Sequence, residues 1–163
     1  MLSKVVQDTI NEQIKNELYS AYLYLSMSAH CEAANLHGCA HWMRVQSQEE
    51  VSHAMKFFEF IFDRGGRVVL QAIDQPPVDF KSPLDLFQRA LQHEQKVTAM
   101  INHIYDLAAK ENDYATQTFV QWFITEQVEE EKNASQILEQ LKVIGDQPAA
   151  LFMLDSYLGK RGD

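Results

Sequence analysis

The stretch MRVQSQEEVSHAMKFFEF, residues 43–60, decides the fold. Met43, Gln46, Glu50, His53, Phe57 and Phe60 recur at alternating steps of three and four, the spacing that lines up one face of an α-helix against a partner. A strand would alternate at every second residue and would be much shorter. On that same face Glu50 and His53 stand where an apolar seam would carry apolar side chains. One segment therefore bears on both architecture and chemistry.

Breakers set the limits of this helix and divide the rest of the chain. They fall at Asn35-Leu36-His37-Gly38, Gly65-Gly66, Gln75-Pro76-Pro77, Ser82-Pro83, Asn112-Asp113 and Gly145-Asp146-Gln147-Pro148. The stretches between them predict helices near 4–34, 39–64, 83–110 and 114–144. The first has an inward face of Val6, Ile10, Ile14, Glu17, Ala21, Tyr24 and Ser28. The third has Phe87, Leu91, Glu94, Thr98, Ile101, Tyr105 and Ala108, and the fourth has Thr116, Val120, Phe123, Gln127, Glu130, Ala134, Ile137, Leu141 and Ile144. Four helices of ~40 Å each predict an all-α protein, a four-helix bundle over 4–144 within a single domain of residues 1–163. Two of the connections are short turns. The link 65–82 could extend to ~60 Å, enough to cross the bundle and leave helices 2 and 3 parallel. Residues 148–158, mostly apolar, predict a short fifth helix that needs a surface to cover, on its own subunit or on symmetry mates.

Composition narrows the partners. The chain has 163 residues, 46% of them apolar, with 6 glycines and 4 prolines, a globular profile of a size that buries roughly 70% of its unfolded surface. Lys and Arg total 14 against 23 Asp and Glu, a formal net charge of -9. Such a surface repels phosphate backbones and anionic lipids, which argues against nucleic acid and membrane and in favour of metal cations. With no signal-like N-terminus and no apolar run of membrane-spanning length, a soluble cytoplasmic protein is expected. Cys31 and Cys39 mirror each other about Asn35, so they would face one another across the hairpin; free thiols are expected, and their spacing with His30, His37 and His41 fits no zinc-finger pattern. The tripeptide Arg161-Gly162-Asp163 reads as a frayed tail.

Six residues break the apolar faces: Glu17, Glu50, His53, Glu94, Gln127 and Glu130. In an antiparallel hairpin, residues equidistant from the turn lie side by side. Glu17 and His53 are each 18 residues from Asn35, and Glu94 and Glu130 are each 18 residues from Asn112. If helices 2 and 3 start at the same end, Glu50, 12 positions after Gly38, and Glu94, 11 after Pro83, differ by about one rise, ~1.5 Å. Four carboxylates at one level of a core must share a cation or hold protons. No Lys or Arg lies on these faces near that depth. A metal is the economical answer, and oxygen ligands with one imidazole suit iron or manganese. Glu50 and His53, at i and i+3, aim across one turn at one site.

With these residues in place, the sequence resembles the ferritins, and in particular the bacterial non-haem ferritins, over essentially its whole length; related di-iron bundles share the Glu-x-x-His device. The resemblance implies one iron position at Glu17, Glu50 and His53, and a second at Glu50, Glu94 and Glu130 with Gln127 nearby. Symmetric di-iron proteins have a second Glu-x-x-His where this chain has Gln127-Val128-Glu129-Glu130, which implies a weaker second position. It further implies a third iron position at Glu49, Glu126, Glu129 and Glu130, and a Tyr24 that hydrogen-bonds or donates an electron near the iron pair. Val51 stands where bacterioferritins place the haem-ligating Met, so no haem is expected. The activity implied is a ferroxidase that oxidises Fe(II) with O2 or H2O2 and stores ferric mineral inside a homo-oligomeric shell of 24 subunits. Alternatives are a rubrerythrin-like di-iron peroxidase, weakened by the absence of a Cys-x-x-Cys pair, and a DNA-protecting mini-ferritin, disfavoured by the net charge and the fifth helix.

Overall fold

In the computed structural model, which describes residues 1–162, the elements are α1 (Lys4–Ala33), α2 (His37–Asp63), α3 (Pro83–Lys110), α4 (Tyr114–Ile144) and α5 (Pro148–Leu158), with no strand among the described residues. The helix limits follow local chemistry. Ser3, Ser82 and Asp113 accept backbone N–H bonds from Val6, Asp85 and Thr116 and so cap α1, α3 and α4, with Pro83 in the first turn of α3. At the other ends α1, α2 and α3 each close with a residue in the left-handed region: Asn35 at φ 59°, Gly65 at 68° and Asn112 at 55°. The next residue then bonds back over the last turn, Leu36 N–H to Cys31 O at 2.9 Å, Gly66 to Ile61 at 2.8 Å and Asp113 to Ala108 at 2.8 Å. Asn35 and Asn112, the two pivots of the sequence symmetry, thus share one conformation.

The crossover runs beside α1. The Gln7 side chain accepts from Arg67 N–H at 2.9 Å, and Asn11 accepts from Val69 N–H at 2.8 Å while donating to Arg67 O at 3.0 Å. Farther along, Ser26 donates to Pro77 O at 2.6 Å, and the His30 and Phe80 rings meet at 5.3 Å between centroids. The link therefore climbs from one end of α1 to the other, and α2 and α3 are parallel.

Apolar packing divides into two plugs. One holds Met27, Cys31, Cys39, Trp42, Phe87, Leu138 and Leu141 near the α1–α2 turn, and the other holds Val6, Ile10, Phe57, Ile61, Ile101, Ile104, Val120 and Phe123 at the opposite end. Between them lies a buried polar layer. Cys31 and Cys39 are buried free thiols in the same plug, on facing helices of the hairpin, as the mirror placement implied.

Three expectations change. In α3 the buried positions are Phe87, Ala90, Glu94, Val97, Ile101, Ile104 and Ala108, so Leu91, Thr98 and Tyr105 are only half-buried. Steps of three then four and of four then three both satisfy the helical period, and the bundle uses the first. The second change concerns the tail: Arg161 is bound rather than frayed, as described below, while Asp163 lies outside the described residues. The third is the start of α2, expected near residue 39: the helix begins at His37 and has no side-chain cap of its own. Instead the Asp155 carboxylate on α5 accepts from Cys39 N–H at 2.8 Å and Gly38 N–H at 3.2 Å. Leu154 and Leu158 of α5 bury in the first plug, and Phe152, Met153 and Tyr157 remain exposed. The fifth helix thus both docks on its own subunit and offers an apolar face outward.

The close approach depends on a missing side chain. A Cβ at Gly38 would lie 1.7 Å from the Asp155 carbonyl oxygen. Gly38→Ala is expected to displace α5 at a cost of about 3 kcal/mol, seen as a lower thermal unfolding midpoint. An unchanged midpoint would mean that α5 does not dock this way.

Candidate metal centre

The polar layer gathers one or two side chains from each long helix: Glu17 and Tyr24 from α1, Glu50 and His53 from α2, Glu94 from α3, and Gln127 and Glu130 from α4, all buried. All seven were singled out from the sequence. They are held in two linked groups.

In the first group, ligand atoms of Glu17, Glu50 and His53 lie within 4.8 Å of one another. The His53 ring Nδ1 is 3.1 Å from Glu50 Oε2, and Gln13 donates to Glu17 Oε1 at 2.8 Å. Glu17 Oε2 has no partner, the one such buried side-chain N or O among the described residues. An orphaned carboxylate oxygen in a core costs free energy unless a cation meets it. The donor set of two carboxylates and one imidazole fits iron.

In the second group, Tyr24 donates its hydroxyl to Glu94 Oε1, and Gln127 Nε2 donates to Glu94 Oε2 at 3.1 Å and to the Glu94 carbonyl at 3.2 Å. Gln46 Nε2 bridges the groups, with Glu130 Oε2 at 2.8 Å and Glu50 Oε1 at 3.2 Å. The side chains within 4.8 Å of one another here are His53, Glu126 and Glu130. Glu94, engaged by Tyr24 and Gln127, stands outside that set, although the family resemblance grouped it with Glu50 and Glu130. Glu49 and Glu126 are half-buried and Glu129 is exposed, on the same side as Glu130.

Burial raises the proton affinity of the layer. It pushes Glu17 up, reinforced by the Glu50 charge, and it pushes Glu50 up, reinforced by Glu94 and Glu130. Glu94 is also raised, chiefly by burial, and Glu130 reaches about 8 through burial and then the Glu94 and Glu49 charges. Burial likewise raises Tyr24, with help from Glu94, so its hydroxyl stays a donor at neutral pH. Without a cation the layer holds protons. A dication entering it would release them.

Sequence reading missed three contributors. Gln46 was visible on the α2 face without being recognised as a hydrogen-bond bridge, and Gln13 lies one turn before Glu17. Arg161 is the third, reaching Gln46 and Glu49 from beyond α5. Trp122, 42% exposed, packs edge-on against His53 at 5.5 Å, with the Lys56 ammonium 4.4 Å over its ring.

The ferritin-like domain profile matches residues 7–144. The chain belongs to the ferritin family. This ferritin is 44% identical over 161 residues to a bacterial non-heme ferritin of Bacteroides fragilis, with 99% of this chain and 100% of that protein covered. It is 39% identical to the bacterial non-heme ferritin of Campylobacter jejuni, over 97% of this chain and 95% of that one. Among solved structures it superposes with a TM-score of 0.99 on an open pore ferritin from the archaeon Archaeoglobus fulgidus, at 46% identity over 99% of this chain and 100% of that chain. With 99% of its chain covered, the ferritin has the bundle shape of that structure. No helix is long and apolar enough to cross a membrane among the described residues.

Proposed function

We propose that this chain is a ferroxidase and iron-storage subunit, a single ferritin-like domain whose substrate is Fe(II). The unpartnered Glu17 Oε2 beside Glu50 and His53, in a layer of four carboxylates none of which forms an ion pair with a Lys or Arg among the described residues, carries the reading. One Fe(II) binds Glu17, Glu50 and His53. A second binds Glu50, Glu94 and Glu130, with Glu50 shared and Gln127 orienting Glu94. Each iron gives one electron to O2, which takes two protons and becomes H2O2; H2O2 serves as an alternative oxidant. Carboxylates favour the ferric product because they stabilise its higher charge. Tyr24, hydrogen-bonded to Glu94, sits where it can steady that ligand and supply an electron. Glu49, Glu126, Glu129 and Glu130 form a third position that takes iron onward to a ferric mineral. No haem takes part. The shell is a cytoplasmic homo-oligomer of 24 copies, supported by the exposed apolar face of α5 and by the near-complete superposition on a ferritin.

Anaerobic Fe(II) titration of the assembled protein, followed by O2 uptake, tests this. Two tight ions per chain and a weaker third are expected, with native mass giving a shell. Binding of fewer than two ions, or a dimer, would overturn the reading.

A further inference from the structure

Beside the buried layer, Glu49 has a cationic partner that comes from outside the four long helices. After α5 the chain turns back along α2, where the His41 ring meets the Arg161 carbonyl at 2.8 Å. The Arg161 guanidinium lies 4.4 Å over the Trp42 ring and donates to Trp42 O at 3.2 Å, to Gln46 Oε1 at 3.0 Å and to Glu49 Oε2 at 2.9 Å. Its side chain is largely covered, whereas that of Glu49 is 42% exposed.

Two consequences follow from the chemistry of the guanidinium. It can only donate, so it fixes the Gln46 amide with oxygen outward and Nε2 toward Glu50 and Glu130. It also places a permanent positive charge on Glu49, whose own charge acts on both Glu130 and Glu126. A dication approaching these acids must share Glu49 with that charge or expel it.

We propose that Arg161 is an internal counter-cation that Fe(II) displaces from Glu49, and that it thereby sets the affinity of the third position and holds Gln46 until that position fills. This rests on the reading of Glu49, Glu126, Glu129 and Glu130 as an iron position. Removing Arg161 takes no ligand from the Glu17, Glu50 and His53 group, which it reaches only through the Gln46 amide, and raises the affinity of the third position. A gain in affinity is a result that mere loosening of the C-terminal arm does not produce.

The experiment is anaerobic Fe(II) calorimetry on the assembled wild type, Arg161→Gln and Arg161→Lys. The third ion is expected to bind ~10-fold more tightly to Arg161→Gln, the scale of one partly exposed charge pair. The first, tightest ion should be unchanged, and Arg161→Lys, which keeps the charge, should stay near wild type. A third ion seen only in Arg161→Gln supports the proposal most strongly. If wild type and Arg161→Gln bind a third ion equally, the third position stands and the role of Arg161 is overturned. If neither binds a third ion, both fall.

Discussion

Glu50→Ala is expected to slow Fe(II) oxidation by ~100-fold or more, measured as the initial rate of ferric absorbance after mixing with O2. Glu50 is the carboxylate common to the whole layer. It sits within 4.8 Å of Glu17 and His53, takes a hydrogen bond from Gln46, and is raised in proton affinity by the charges of Glu94 and Glu130. In the proposed site its loss would take away the bridge between the two iron positions, and the pair would no longer deliver two electrons in one encounter with O2. Folding is not at risk, because a buried acid that costs free energy to ionise is removed; the metal-free variant should be at least as stable as wild type. Glu50→Gln, which keeps size and one oxygen, should lose nearly as much activity. A wild-type rate in both variants would falsify the assignment of the bridge.

Thermal stability of the iron-free protein should fall as pH rises from about 5 to about 8. Glu17, Glu50, Glu94 and Glu130 bind protons more tightly in the folded layer than in the unfolded chain, with Glu130 raised from 4.5 to about 8. Between those values the native state carries more protons than the unfolded state, so stability is greatest below the ordinary glutamate range and is lost as pH climbs through the folded one. This is opposite to the behaviour of a surface-paired carboxylate. A decrease of ~5–10 °C in the unfolding midpoint across the window corresponds to a few kcal/mol for a chain of this size. Added Fe(II), under anaerobic conditions, should flatten the curve, most of all at pH 8, and release protons as it binds. A midpoint that rises with pH in the iron-free protein would show that the layer is not protonated.

Much of this was legible from the sequence because helices obey a simple period. The mirror distances about Asn35 and Asn112 placed Glu17, His53, Glu94 and Glu130 at one depth, and both pivots adopt the left-handed turn that such a hairpin needs. The phase of α3 was less secure. From Phe87 the eye follows Leu91 and Tyr105, both large and apolar, whereas the bundle buries Ala90, Val97 and Ile104. Only the neighbouring helices choose between the two stripes. Side-chain direction was less legible still: depth put Glu94 with Glu50, but its oxygens are taken by Tyr24 and Gln127. Among the described residues, no Lys or Arg of the four long helices pairs with the layer's carboxylates, and the cation beside them comes from elsewhere. Arg161 arrives through the docking of a segment 112 residues from Glu49, a contact that no local period encodes.

The borrowed cap of α2 also sets an order of events during synthesis. The N–H of Cys39 is bonded by a residue made 116 positions later, which at ribosomal speed is on the order of ten seconds. Until Asp155 emerges, the second helix begins with open donors and the first plug lacks Leu154 and Leu158. An unfinished chain therefore presents an uncapped start to α2 and lacks the outward apolar face of α5. Both features are completed together, only once Pro148–Leu158 has been made and docked.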